Sequence, residues 1–358
     1  MKLRPLSAES RFRPAIYGVI HALVDAACVA AVVRASRGSY VGDLGAFRTV
    51  VGYDLLAFGL QFPLGLLVDR LRLARLSMIV GAAMAAVVVA PGSIPVLATL
   101  IVAGVGNALF HLGAGGLVLR ATGGRAAPAG VFVAPGALGL GLGLWMGRTG
   151  RGSTFPIYVA LVFAAIALVI LDKPAAANRG TPSGTVAQPT LLPWLILLML
   201  LLVSVTVRSF VGFGACFQCP AGLAVAIGLP VAAFLGKLVG GFVADRLGWL
   251  RVSVGSLLLS LPLIAFSGGS LVLALPGVLL FQSTMAVTLV AVYALMPRWP
   301  ATAFGLPCLA LIAGAFPSFF PAGKQLFGRW TFALLIALSA AVLAVALRRL
   351  SRRGLARN

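Results

Sequence analysis

The chain has 358 residues, 61% of them hydrophobic and only 10% charged, with 28 basic against 7 acidic side chains and a net charge of +21. A soluble domain carries about 25% charged residues, so this composition suits lipid as the main solvent and excludes an ordinary water-soluble domain. The basic residues are spread among helix ends, with no basic domain and no aromatic–basic platform, which excludes a reading as a nucleic-acid binder.

A membrane-spanning helix takes about 20 apolar residues, and the length accommodates about twelve. Helices are the expected spanning form, because unpaired backbone groups are costly in hydrocarbon. The apolar runs are long and do not alternate, which argues against a β-barrel. In chain order the predicted helices are Pro14–Val33, Phe47–Val68, Ala74–Ala90, Pro95–Leu119, Ala126–Met146 and Phe155–Leu171. A polar segment with Pro, Gly, Ser and Thr, Asp172–Thr190, reads as a linker. The second set is Leu191–Val211, Leu223–Val243, Leu250–Phe266, Val272–Leu295, Phe304–Pro321 and Trp330–Leu347, followed by a basic tail. The fold class is therefore all-α and integral to the membrane, with residues 1–171 as an N-terminal six-helix half, 172–190 as a cytoplasmic linker and 191–358 as a C-terminal half. The basic start, Met1 to Arg13, precedes a run without a convincing cleavage signal, so the first helix is read as retained.

One short pattern occurs twice. Gly65-Leu66-Leu67-Val68-Asp69-Arg70 and Gly241-Phe242-Val243-Ala244-Asp245-Arg246 both read G-x-x-x-D-R, with Arg72 and Arg251 close behind. Each ends an apolar run, in corresponding places of the two halves, as in an internally duplicated transporter. Helix-end anchoring accounts for Arg70 and Arg246 but not for two of only seven acidic residues, Asp69 and Asp245. Lysine and arginine are richer on the side of these turns, which predicts that side, both termini and the linker to be cytoplasmic. Glycines 136, 139, 141 and 143 remove bulk from the fifth helix; they suit either a sliding interface or static close packing.

Ionisable groups inside spans are expensive and normally face a cavity, a partner or an ion path. His21 and Asp25 share a helix face, as do Asn107 and His111. Histidine titrates near neutrality, so these residues are candidates for proton coupling or a substrate cavity, against buried structural hydrogen bonds. Asp54, beside Tyr53, is a further candidate proton carrier or a counterion to Arg48, Arg34 or Arg37. Gln61 is two turns on and either lines the same cavity or packs. In the second half Arg208 ends an unusually apolar stretch, with Ser204 one turn away. A guanidinium keeps its proton, so Arg208 needs a carboxylate, a carbonyl cage, water or an anionic substrate, or it snorkels to the outer interface. Lys237 in the eighth helix either snorkels or reaches the cavity, and with Arg208 it would favour an anion. Cys216 and Cys219 fall in a predicted outer loop. Two cysteines do not define a metal site, and neither a metal nor a cofactor is expected.

The paired G-x-x-x-D-R turns, the six-plus-six plan and the central linker resemble the major facilitator superfamily over nearly the whole chain. His21-x-x-x-Asp25, Tyr53-Asp54 with Gln61, Gly106-Asn107-Ala108-Leu109-Phe110-His111, and Gln282 with Pro297-Arg298 resemble its fosmidomycin-resistance-like branch, which includes drug exporters. The first turn departs from the pattern with Leu71 where glycine is usual, and Leu112-Gly113 follow His111 where the branch more often has proline and an acidic or small residue. The resemblance implies alternating access about a central cavity, gating by Asp69, Arg70, Arg72, Asp245, Arg246 and Arg251, and secondary transport that is often proton-coupled. The expected function is proton-coupled export of a small organic, and in one reading anionic, compound by a monomer in a bacterial-type inner membrane. Its expected partners are substrate, protons and lipid. A divalent metal exporter using the His and Asp residues is the alternative, and a receptor or scaffold a third reading. No nucleophile–base set or phosphate loop suggests an enzyme.

Overall fold

The computed structural model describes residues 8–38, 42–92, 94–170, 191–219 and 222–356. The proposed linker 172–190 lies outside them. The elements are α1 (Ala8–Gly38), α2 (Gly42–Asp54), a π turn (Leu55–Gly59), α3 (Gln61–Leu71), α4 (Ala74–Val87), α5 (Val96–Ala121), α6 (Ala127–Thr149) and α7 (Phe155–Ile170). The second half has α8 (Leu191–Gln218), α9 (Leu223–Leu247), α10 (Trp249–Ala265), α11 (Leu271–Gln282), α12 (Met285–Leu295), α13 (Pro300–Ala315), a 3₁₀ turn (Phe316–Phe319), α14 (Pro321–Lys324) and α15 (Arg329–Arg352). Among the described residues, nine helical stretches are long and apolar enough to cross a membrane, and α4, α7 and α10 are shorter apolar helices. Together they make the twelve expected spans. Val272, Leu334 and Leu97 are the kind of large apolar side chain left on the outside, where lipid replaces a protein partner.

Two spans are broken. The second is α2 and α3 joined by the π turn, with the Leu60 N–H reaching back to the Leu55 carbonyl at 3.2 Å. The tenth is α11 and α12, interrupted at Ser283–Thr284, where the Ser283 N–H bonds the Leu280 carbonyl three residues back. Irregular backbone at membrane depth is tolerated where protein covers it. Helix α8 runs on to Gln218, so Cys216 sits in a helix and not in the predicted loop; both Cys216 and Cys219 are free thiols.

Within the first half α1 packs on α6 and α4 on α5; within the second α8 packs on α13 and α15, and α9 on α11. The halves meet along α6–α9 and α3–α13, with α5 also against α13. The glycines of α6 serve two interfaces. A Cβ on Gly139 would lie 2.1 Å from the Ala22 carbonyl oxygen, and one on Gly143 2.8 Å from that of Ala26, so this face presses backbone to backbone on α1. A Cβ on Gly141 would meet the Pro230 ring at 2.5 Å, and one on Gly130 the Lys237 carbonyl at 2.6 Å, so the other face meets α9 across the halves. Without a hydrophobic force between helices in lipid, such close approach is what holds them.

Replacing Gly139 by alanine should therefore force α1 and α6 apart and cost about 1–3 kcal/mol. We expect a clear drop in melting temperature in detergent, while Gly255→Ala, where a Cβ meets nothing within 4 Å, should leave it unchanged. Equal melting temperatures for the two variants would contradict this packing.

Candidate functional site

A polar cluster lies in the first half where the second half covers it. Asp25 and His21 are one turn apart on α1, and His21 Nε2 is 3.1 Å from Asp25 Oδ2. From α5, Asn107 Nδ2 donates to Asp25 Oδ1 at 2.8 Å, and His111 Nε2 lies 3.7 Å from the same oxygen. The two imidazoles face each other with Nε2 atoms 2.7 Å apart and ring planes at 86°. Each ring is anchored behind: His21 Nδ1 is 3.0 Å from the Phe132 carbonyl of α6, and His111 Nδ1 is 2.8 Å from the Asn107 carbonyl. His21, Asn107 and His111 are all buried, at 5%, 1% and 6% exposure. Asn107 Oδ1 is buried without a partner.

Glycine makes the room. A Cβ on Gly136 of α6 would sit 2.4 Å from His21 Nε2 and 2.9 Å from Asp25 Oδ2. Aromatic rings close the rest: Phe132 stacks near His21 at 5.0 Å between centroids, and Phe304, from α13 of the other half, lies 6.2 Å from His111. Tyr53, Cys28, Cys308 and Lys237 lie within electrostatic range of Asp25. Lys237 comes from α9 and so brings a charge from the opposite half.

His21, Asp25 and His111 are also a donor set for a divalent cation, with ligand atoms within 4.8 Å of one another. The spacing does not fit one in this arrangement. Two nitrogens bound tetrahedrally at about 2.0–2.1 Å would be about 3.3 Å apart, whereas these are 2.7 Å apart, a hydrogen-bonding distance.

The two G-x-x-x-D-R turns join the halves reciprocally. Asp69, at the end of α3, accepts the N–H groups of Ala301 at 3.1 Å and Thr302 at 2.8 Å and the Thr302 hydroxyl at 2.9 Å. These are the first turn of α13. Asp245, at the end of α9, accepts the N–H groups of Ala126 and Ala127 at 2.8 and 2.9 Å, where α6 begins, and the Trp249 indole N–H at 3.1 Å. Neither receiving helix has a side-chain cap of its own: the N-cap residues are Trp299 and Ala126. Helix starts leave unsatisfied N–H groups and a positive dipole end, and a carboxylate from the other half supplies both the acceptor and the charge. The motif glycines permit the approach, since a Cβ on Gly65 would lie 3.0 Å from Thr302 Cα and one on Gly241 3.0 Å from the Ala126 oxygen.

The arginines of these turns play a smaller part than expected. Arg70, Arg72, Arg246 and Arg251 are exposed and make no ion pair among the described residues; the cation near Asp69 is Arg120, at 3.9 Å. Arg72 instead takes the left-handed backbone at φ 58°, as Gly248 takes φ 96° in the second turn. The position that wants glycine in the first turn is thus Arg72, and not Leu71.

Of the two positions open to Arg208, the buried one is taken. Its side chain does not run outward to the interface. Nε donates to the Ser204 carbonyl one turn back at 3.1 Å, Nη2 donates to Thr288 Oγ1 at 2.9 Å, and Nη1 to Thr284 Oγ1. The guanidinium is therefore held toward the middle of the span, 7% exposed, against the break in the tenth span and with no carboxylate partner among the described residues. None of these bonds is to Lys237. Ser204 ties α8 to α15 through Ser339 Oγ at 2.8 Å.

Asp54 is half-buried and pairs with none of the expected arginines among the described residues: Arg34 donates to the Gly152 carbonyl, Arg37 to those of Gly147 and Arg148. A π turn, Leu55–Gly59, and not a continuous α-helix separates it from Gln61. Gln61 Nε2 caps the Ala57 carbonyl of that turn at 2.7 Å. Gln282 ends α11 at the break, beside Gly236. Thr284, Thr288, Thr302, Trp249 and Arg120 were not singled out from the sequence, and Gly136 was noted there for helix packing alone. The four-residue spacing of Thr284 and Thr288, both uncommon polar residues in that span, was the available signal for two of them.

No protein-family model and no curated protein matches the chain. Solved structures do. The E. coli fucose:proton symporter FucP, as a variant, aligns with a TM-score of 0.62 and 12% identity over 93% of this chain and 98% of that one. FucP in the outward conformation gives 0.57 and 14% over the same shares. The human organic anion transporter MFSD10 (TETRAN) gives 0.62 and 17% over 94% and 100%. The chain therefore has the major facilitator fold: two six-helix bundles joined face to face.

Proposed function

We propose that the chain is a secondary active transporter, and not an enzyme, which exports a small organic anion against inward proton movement by alternating access. The observation that carries this reading is the buried His21–Asp25–His111 cluster. Three titratable groups are costly inside a membrane bundle, and these meet where the two halves close on each other. The fold is shared with a proton symporter and an organic anion transporter, and the likeness to the fosmidomycin-resistance-like branch favours export. The anionic class is supported by Arg208, a permanent buried charge held among the described residues by neutral oxygens alone, with Lys237 as a second cation near the cluster. The lysine and arginine bias favours both termini and the aspartate turns inside; the membrane is read as a bacterial-type inner membrane and the halves as 1–171 and 191–358.

The aspartate turns are the proposed gate. Each lock is a charged hydrogen-bond pair between halves, and both hold the same face together. Coupling would act through Lys237. An empty cluster keeps the Asp25 charge and draws Lys237 from the other half; a proton cancels that charge and releases it.

Proteoliposomes with an imposed pH gradient test the reading, using labelled organic carboxylates and phosphonates, neutral sugars and divalent metals while proton flux is recorded. An organic anion should move with opposing proton flux. Asp25→Asn should lose gradient-driven accumulation yet retain anion exchange between the two sides. Proton-independent transport, or full accumulation by Asp25→Asn, would overturn the coupling. For the transported anion, Arg208→Met should raise KM at least tenfold; an unchanged KM would remove Arg208 from the substrate site.

The gate has its own measurement. Ala126 is fully buried beside Asp245. In a protein lacking its native cysteines, a cysteine at position 126 should react slowly with a maleimide. Asp245→Asn should speed this about tenfold or more, since a hydrogen bond to a charged group contributes about 1.5–3 kcal/mol. An unchanged rate would show that the lock does not hold the face shut.

A further inference from the structure

The donor and acceptor inventory of the cluster fixes how many protons it holds. A backbone carbonyl only accepts, so the nitrogen facing it has to carry hydrogen. His21 Nδ1 faces the Phe132 carbonyl at 3.0 Å and His111 Nδ1 faces the Asn107 carbonyl at 2.8 Å. Both Nδ1 atoms are therefore protonated, and both Nε2 atoms of neutral rings would be bare lone pairs. Yet these atoms are 2.7 Å apart, with the Asp25 carboxylate alongside. With no further proton, three acceptors would face one another. A proton on Asp25 would leave the two nitrogen lone pairs still in contact. With two protons, two N–H groups of two imidazolium ions would point at each other. One proton between the nitrogens gives both Nε2 atoms a partner, with the Asp25 carboxylate as countercharge beside it.

We infer that His21 and His111 bind a single proton as a shared Nε2–H–Nε2 bridge, neutralised by Asp25, and that this is the proton the transporter moves. The imidazole–imidazolium pair carries +1 and Asp25 −1, so the loaded site is neutral. Losing the proton leaves −1 and removes the only bond joining the rings, so His21 on α1 and His111 on α5 must part. Loading thus draws two helices of one half together. Asn107 keeps Asp25 turned toward the pair, and Gly136 leaves the space the bridge occupies. The other titratable groups facing the cluster are Cys28 on α1, Tyr53 on α2, Lys237 on α9 and Cys308 on α13. The role in transport rests on the function proposed above; the occupancy does not.

The chain has only two histidines, so ¹⁵N-histidine labelling reports this site alone. In lipid nanodiscs near neutral pH, the four ring nitrogens should carry three protons: one on each Nδ1, and one shared, giving both Nε2 atoms intermediate shifts that change together with a single pH midpoint. His21→Gln and His111→Gln should each abolish the shared signal. A protonated Nε2 opposite a bare Nδ1 on either ring, or two separate midpoints in the wild type, would overturn the inference. Should the variants fail to fold, the wild-type spectrum decides alone. The shared signal without proton flux in any transport assay would uphold the site and reject the transporter reading.

Discussion

A carboxylate inside a membrane bundle has no water to solvate it, so the protein has to supply the donors. The structure answers this three times with three different donor sets. Asp69 and Asp245 take their donors from the bare starts of helices in the opposite half. Asp25 takes the Asn107 amide as donor and lies beside the His21 imidazole, within its own half. The first two bonds cannot survive separation of the halves at that face; the third can. That difference divides the acidic residues into a pair suited to holding a conformation and one suited to holding an exchangeable ion.

The symmetry of the locks has a physical origin in the duplicated plan. In each half a glycine lets the opposing helix start come close, and four residues later an aspartate completes its missing cap. The two copies are unequal in detail. Asp69 adds a threonine hydroxyl and lies near Arg120, while Asp245 adds the Trp249 indole. The α6 helix links these features. Its first turn is held by Asp245, its Gly130 and Gly141 abut α9, and its Phe132 carbonyl and Gly136 shape the histidine site.

Much of this was legible in the sequence, for reasons that differ by residue. Long apolar runs in a chain this poor in charge leave helices in lipid as the workable plan, and His21, Asp25, Asn107 and His111 stood out because polar residues there are expensive. Four-residue spacing put each pair on one face. It could not say that the two faces meet, since that depends on how α1 and α5 pack. The sequence leaves Arg208 open between a buried site and the outer interface; its Nε bonds backward to Ser204, in the direction of the side chain's lean toward the helix start. The π turn between Asp54 and Gln61 left no mark in the apolar pattern, which reads as one unbroken helix that the chain does not form. Arg72 in the left-handed region was likewise hidden, because nothing in its side chain announces that backbone.

The central claim is that proton occupancy of the histidine pair governs how the two halves are arranged. The direct measurement is the distance between spin labels on the ends of α3 and α13, and of α6 and α9, in nanodiscs across a pH series. The account predicts that both distance distributions shift together with one midpoint in the wild type, and that the shift disappears in a His21→Gln, His111→Gln double variant that still folds. Distances independent of pH in the wild type, or an unchanged shift in that variant, would contradict it.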